Sequence, residues 1–137
     1  MRRVWTPSSA WTGARSWAAF LARHLAKNTL FAVNSDKNIN VITPEYDSNG
    51  QLLFRDNLVP MVTDRNVLIL ISTVNSGKSI RRVVECAQYY GGKVQGIAAV
   101  FSTLEEMEGV PIYSLFTPED IPGYATYSPE NCAMCRA

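Results

Sequence analysis

Arg65-Asn66-Val67-Leu68-Ile69-Leu70-Ile71-Ser72-Thr73-Val74-Asn75-Ser76-Gly77-Lys78-Ser79-Ile80-Arg81-Arg82-Val83-Val84 decides how this chain is read. Val67 to Ile71 is a continuous apolar run, which suits a parallel strand buried on both faces. The residues from Ser72 to Ser79 are mostly small or hydroxylic, with one glycine, and predict a loop. Ile80, Val83, Val84, Ala87 and Tyr90 then recur at helical spacing and predict one apolar helix face. Gly91-Gly92 is a helix stop, because glycine accepts the left-handed cap conformation. Gly96 to Phe101 is a second apolar run. Strand, helix and strand at this length make a βαβ unit with a parallel, right-handed crossover.

Ligands of such units sit beyond the carboxyl ends of the strands. Here that place is Ser72 to Ser79, at the start of a helix whose free N–H groups and dipole favour an anion. Lys78 and Ser79 add a charge and a hydroxyl. The stretch is therefore a candidate phosphate-binding loop, with a plain strand-to-helix turn capped by Ser or Asn as the alternative.

The earlier part of the chain repeats the pattern. Arg2 to Trp5 is a short strand and Thr6 to Gly13 a hydroxyl-rich loop. Arg15 to Lys27 is a helix with Trp17, Leu21 and Leu25 stacked four apart and Phe20 beside them. His24 lies next to that stripe and reads as a partly buried packing residue. Leu30 to Val33 is a second buried strand. Asn40 to Thr43 and Gln51 to Phe54 flank Asn49-Gly50, a strong turn signal, and predict a β-hairpin. Asp56 to Asp64 is a connector. Ser102 to Gly109 is an acidic surface helix or loop, Pro111 to Phe116 a strand, and Thr117-Pro118 a capped helix start. The expected fold is α/β: one domain over 1–137, a mainly parallel Rossmann-like sheet with helices on both faces, a hairpin excursion, and an irregular tail over 122–137.

Composition narrows the function. The chain has 137 residues, 47% hydrophobic and 18% charged, as a globular protein of one domain should. A net charge of +1 makes no case for nucleic acid or a membrane surface as partner. The segment before Asp36 holds Arg2, Arg3, Arg15, Arg23 and Lys27 and no acid, a transit-peptide-like composition, but it also reads as working elements of the domain. No apolar run is long enough to span a bilayer. Three cysteines, an odd number, argue against a secreted disulfide scaffold and for a cytoplasmic chain. Cys132 and Cys135 form a lone Cys-x-x-Cys: either two reduced thiols or half of a zinc site.

The order of elements from Arg2 to Phe116 resembles a type I phosphoribosyltransferase, most like the orotate branch. The family signature is an apolar strand, two adjacent acids and a Thr-Thr-Gly type loop. The resemblance implies that Thr73, Val74, Asn75, Ser76, Gly77, Lys78 and Ser79 hold the 5-phosphate of phosphoribosyl diphosphate. It implies that the loop carrying Thr6, Ser8, Ser9 and Gly13 faces the diphosphate, with magnesium as cofactor if the chain is catalytic. The family's ribose-binding acids fall at Ile71 and Ser72, which carry no charge. The hood that covers the nucleobase has no counterpart, since the chain begins almost at the first core strand. Losing charged hydrogen bonds to the ribose costs roughly 1.5–3 kcal/mol each. The implied activity is transfer of ribose 5-phosphate to a base such as orotate. The alternative is a non-catalytic member that binds a phosphate or nucleotide, or a regulatory or partner subunit. A rival reading, a nucleotide-triphosphate loop ending in Gly77-Lys78-Ser79, lacks the first glycine, since Ser72 stands there. Members of the family commonly pair, and Trp5, Trp11 and Trp17 make an exposed aromatic-rich start apt for an interface, so a homodimer is expected.

Overall fold

The computed structural model describes residues 2–5, 12–27, 39–127 and 130–132. The central strand, β5 (Asn66–Val74), runs three residues beyond the expected apolar run, because Thr73 and Val74 pair with Phe101 and Ser102. Both are β-branched residues that fit a pleated surface. β5 lies between β1 (Arg2–Trp5) and β6 (Lys93–Ser102), parallel to both. β2 (Val41–Ile42) pairs parallel to β1 on one side, and β8 (Val110–Phe116) parallel to β6 on the other. β7 (Glu106–Met107) closes the far edge antiparallel to β8, giving the order β2-β1-β5-β6-β8-β7.

Two helices cover opposite faces of this sheet. α2 (Lys78–Tyr89) buries Ile80, Val83, Val84, Cys86 and Ala87 against Val67, Ile69, Ile97 and Ala99. Its stop is the expected one. Gly91 has φ +77°, its N–H donates to Gln88 O, and the Gly92 N–H donates to Ala87 O. That double bond is a Schellman cap. A Cβ on Gly92 would lie 2.9 Å from Ala87 O and from Val62 Cγ1, so the second glycine is a packing requirement.

α1 (Thr12–Lys27) corrects its sequence reading. It seats Ala18 and Ala22, with Leu25, on Val41, Leu68 and Leu70. Trp17 is 68% exposed, as expected of the aromatic-rich start, Phe20 is 71% exposed, and His24, expected to be partly buried, is exposed. Small residues let the helix come close to the sheet, and the large ones are left outside.

The hairpin exists but is displaced. Its arms are β3 (Glu45–Tyr46) and β4 (Leu52–Leu53), while the segment expected as its first arm became β2 of the main sheet. The Asp47 carboxylate accepts from the N–H groups of Asn49 and Gln51 at 2.8 and 2.7 Å, which stabilises the Asn49-Gly50 turn. The acidic stretch after β6 is neither helix nor plain loop. It forms the β7–β8 hairpin, with Glu108 and Gly109 both left-handed (φ +53° and +76°), as a tight two-residue turn requires. Thr117 caps only one 3₁₀ turn, Pro118–Asp120. The expected strand Leu30 to Val33 lies outside the described residues.

Candidate functional site

The carboxyl ends of β5 and β6 and the start of α2 meet at Asn75. The strand-to-helix turn is three residues, Asn75–Gly77, rather than the eight expected. Ser72, Thr73 and Val74 therefore belong to β5. Val74 is 2% exposed and packs into the core, so its side chain is closed to any ligand. Ile71 and Ser72 are half-buried within the strand, and Ile71 packs against the α2 side of the core. Asn75, Ser76, Lys78 and Ser79 are exposed around the turn.

The turn is held from the other side by residues that no sequence motif indicated. The Thr103 N–H donates to Val74 O at 3.0 Å, and its hydroxyl to Asn75 O at 2.8 Å. The Tyr124 hydroxyl donates to the Asn75 side-chain oxygen, while its ring lies 4.8 Å from that of Phe101. The Ser102 hydroxyl donates to Leu104 O at 2.6 Å and folds the chain back toward the turn. The one available signal was the hydroxyl pair Ser102-Thr103 closing an apolar strand; Met107 and Tyr124 had none.

Gly77 heads α2 with φ +76°, a left-handed conformation that glycine takes without steric cost. A Cβ there would meet Met107 Cε at 2.3 Å and Leu104 Cδ1 at 3.1 Å. The left-handed φ favours glycine at 77 whether or not an anion binds, and any side chain there would have to push the end of Met107 aside.

The electrostatics point one way. No side chain caps the α2 N-terminus, and its first turn holds no acid. Lys78 sits in that turn, where a cation opposes the positive end of the helix dipole. An anion over the turn would turn that repulsion into attraction.

The remaining candidates divide. Thr6, Ser8 and Ser9 lie outside the described residues, and Gly13 is in the first turn of α1 rather than in a loop. Cys132 is half-buried, while Cys135 lies outside the described residues. Ile71 and Ser72 carry no carboxylate, and among the described residues no group of three or more His, Cys, Asp and Glu is placed to hold a metal. No helix among them is long and apolar enough to cross a membrane.

No protein-family model matches the chain, and no curated protein sequence matches it. Solved structures do. A Neisseria gonorrhoeae protein crystallised with bound ppGpp superposes with a TM-score of 0.53 at 14% identity, covering 84% of this chain and 66% of its own. Adenine phosphoribosyltransferase from Thermoanaerobacter pseudethanolicus gives 0.51 at 15% identity, over 85% and 70%. Purine phosphoribosyltransferase from Pyrococcus horikoshii gives 0.50 at 18% identity, over 91% and 79%. The chain thus spans just under two thirds of the first of these and somewhat more of the others. What these likenesses establish is the fold: an α/β sheet of the type I phosphoribosyltransferase kind.

Proposed function

We propose that the Asn75–Gly77 turn and the first turn of α2 bind the phosphate of a phosphorylated ribose or nucleotide, and that the chemistry served is phosphoribosyl transfer. One observation carries the binding reading: an uncapped, acid-free helix N-terminus bearing Lys78, at the carboxyl end of the central strand. Backbone N–H groups of Lys78 and Ser79 would donate to the phosphate, and the Ser76 and Ser79 hydroxyls would add to them. In the transfer reading the ligand is phosphoribosyl diphosphate, the acceptor a nucleobase such as orotate, and diphosphate leaves.

A second reading has its own support. Ile71 and Ser72 offer no charged acceptor for ribose hydroxyls, which favours a protein that holds a phosphate or nucleotide without turning it over. The neighbour with bound ppGpp makes that nucleotide a sensible probe.

Titration calorimetry with inorganic phosphate, ppGpp, and phosphoribosyl diphosphate with and without magnesium separates the readings. Magnesium-dependent micromolar binding of phosphoribosyl diphosphate, with diphosphate release in the presence of a base, supports transfer. Magnesium-independent binding of phosphate or ppGpp supports the second reading. Lys78→Ala should weaken binding by ~1 kcal/mol, about fivefold, because it removes one exposed charge and no amide. Absence of binding by all three ligands would overturn both.

A further inference from the structure

β8 pairs with β6 along its inner side, but most of its outer edge is open. β7 covers that edge only beside Val110 and Pro111. The Ile112 N–H donates to Glu105 O at 2.8 Å, so the backbone polar groups of Ile112 face outward, away from β6. Strand alternation puts those of Ser114 and Phe116 on the same edge. Among the described residues, no strand pairs with Ser114 or Phe116 on that side. The N–H groups of both and the Ser114 carbonyl stand there in a row.

Such an edge is a template for another strand, and proteins that keep it empty blunt it with Lys, Pro or a bulge. From Ile112 to Phe116 there is no charge and no proline, and the register with β6 is even. Tyr113, Leu115 and Phe116 are 64%, 75% and 50% exposed. Tyr113 and Leu115 stand on one face of the sheet and Phe116 on the other, so a strand laid along the edge meets apolar groups on both. The surroundings carry one sign of charge. Residues 94–129 include Glu105, Glu106, Glu108, Glu119 and Asp120 and no Lys, Arg or His. Glu108 is paired with Arg81 at 3.3 Å. Glu105 and Glu106 are exposed at the start of β7, and Glu106, opposite Pro111, shares the face of Tyr113 and Leu115. Glu119 and Asp120 are exposed past the other end of the edge, in the 3₁₀ turn after Phe116, where Asp120 also accepts from the Thr117 N–H.

We propose that the Ser114–Phe116 edge of β8 takes up an extended peptide segment of another protein as an added strand, with apolar side chains at its centre and Lys or Arg at its ends. The row of backbone donors and acceptors dictates the strand form. Tyr113, Leu115 and Phe116 pair best with apolar side chains across the strands. Acids at both ends select basic residues and reject acidic ones. The same charges disfavour a second copy of this chain. Two β8 edges paired antiparallel about a two-fold axis would bring Glu105 and Glu106 of one copy toward Glu119 and Asp120 of the other. The edge lies apart from the turn at Asn75, and its occupancy does not depend on whether that turn binds a ligand.

Fluorescence anisotropy on the full chain tests it with a labelled synthetic peptide, Lys-Arg-Val-Thr-Val-Thr-Val-Arg-Lys. Binding should be saturable, with a dissociation constant on the order of 10–100 µM. Replacing the peptide's basic residues by Glu should weaken binding at least about tenfold. Ser114→Pro removes an outward N–H where an edge strand tolerates proline, and should abolish binding with an unchanged circular dichroism spectrum. Leu115→Lys, at a side chain already 75% exposed, should weaken binding at least about tenfold and serves if the proline variant fails to fold. No saturable binding of the basic peptide overturns the proposal. So does equal binding of the acidic peptide, or wild-type affinity in a folded Ser114→Pro or Leu115→Lys variant. A sedimentation mass of two chains that Ser114→Pro returns to one also overturns it, because a second copy would then occupy the edge.

Discussion

The two helices solve the same problem with opposite residues. α2 buries Ile80, Val83 and Val84 completely and ends in a Schellman cap on two glycines. Among its described residues, α1 buries Ala18 and Ala22 and turns Trp17 and Phe20 outward. Full burial of a Val or Ile side chain contributes about 1.5–3 kcal/mol, several times what an alanine supplies. Among the described residues, the α2 side therefore buries the larger side chains. The α1 helix leaves Trp17 and Phe20 exposed. The difference also shows at the strand ends: the β5–α2 turn is braced by Thr103, Leu104, Met107 and Tyr124.

Breaking the α2 side should have the largest effect. Val84→Asp places an unpaired carboxyl at a site with 0% exposure and should cost at least ~4 kcal/mol, read as loss of the cooperative urea transition. Gly77→Val comes next, at about 2–4 kcal/mol. It forces a β-branched residue to φ +76° and into Met107. Thermal unfolding would show it without any ligand present. An unchanged melting temperature would show that Met107 and Leu104 yield freely and that the glycine serves only an anion.

Cys86 sharpens the comparison through pH. Its thiol donates to Leu52 O at 3.4 Å, tying α2 to the hairpin, and burial pushes its pKa from 9.0 up to about 11. The unfolded chain thus releases this proton at lower pH than the folded one. Its share of stability is intact below pH 9, falls as pH rises from 9 to 11, and declines in all by at most ~2–3 kcal/mol. Cys86→Val should flatten that part of a plot of urea midpoint against pH. The smallest effect belongs to α1: Phe20→Ser, at 71% exposure, should change the stability of the folded monomer by less than about 0.5 kcal/mol.

Where large β-branched residues recur, the local pattern decided the outcome. The apolar strand Val67 to Ile71, the α2 face, the Gly91-Gly92 stop and the Asn49-Gly50 turn could all be read from residue order. Each rests on a short-range cause: side-chain periodicity, or glycine's access to a positive φ. The α/β class followed from their succession. The candidate site was half legible in the same way. Gly77, Lys78 and Ser79 announce a helix start, but the loop was read too long, because pairing with β6 draws Ser72 to Val74 into the strand.

Only the tertiary structure decided which face of α1 is buried. Alanines and aromatics both repeat at helical spacing there, and close approach to Leu68 and Leu70 selects the small ones. It also made a strand of Val41–Ile42, because β1 offers them a parallel edge. Glu106 and Met107 pair with β8 although their composition reads as surface. The bracing of Asn75 by Thr103 and Tyr124 joins residues 28 and 49 positions apart. Contacts of that kind depend on where the sheet brings its strand ends together, and no local pattern encodes them.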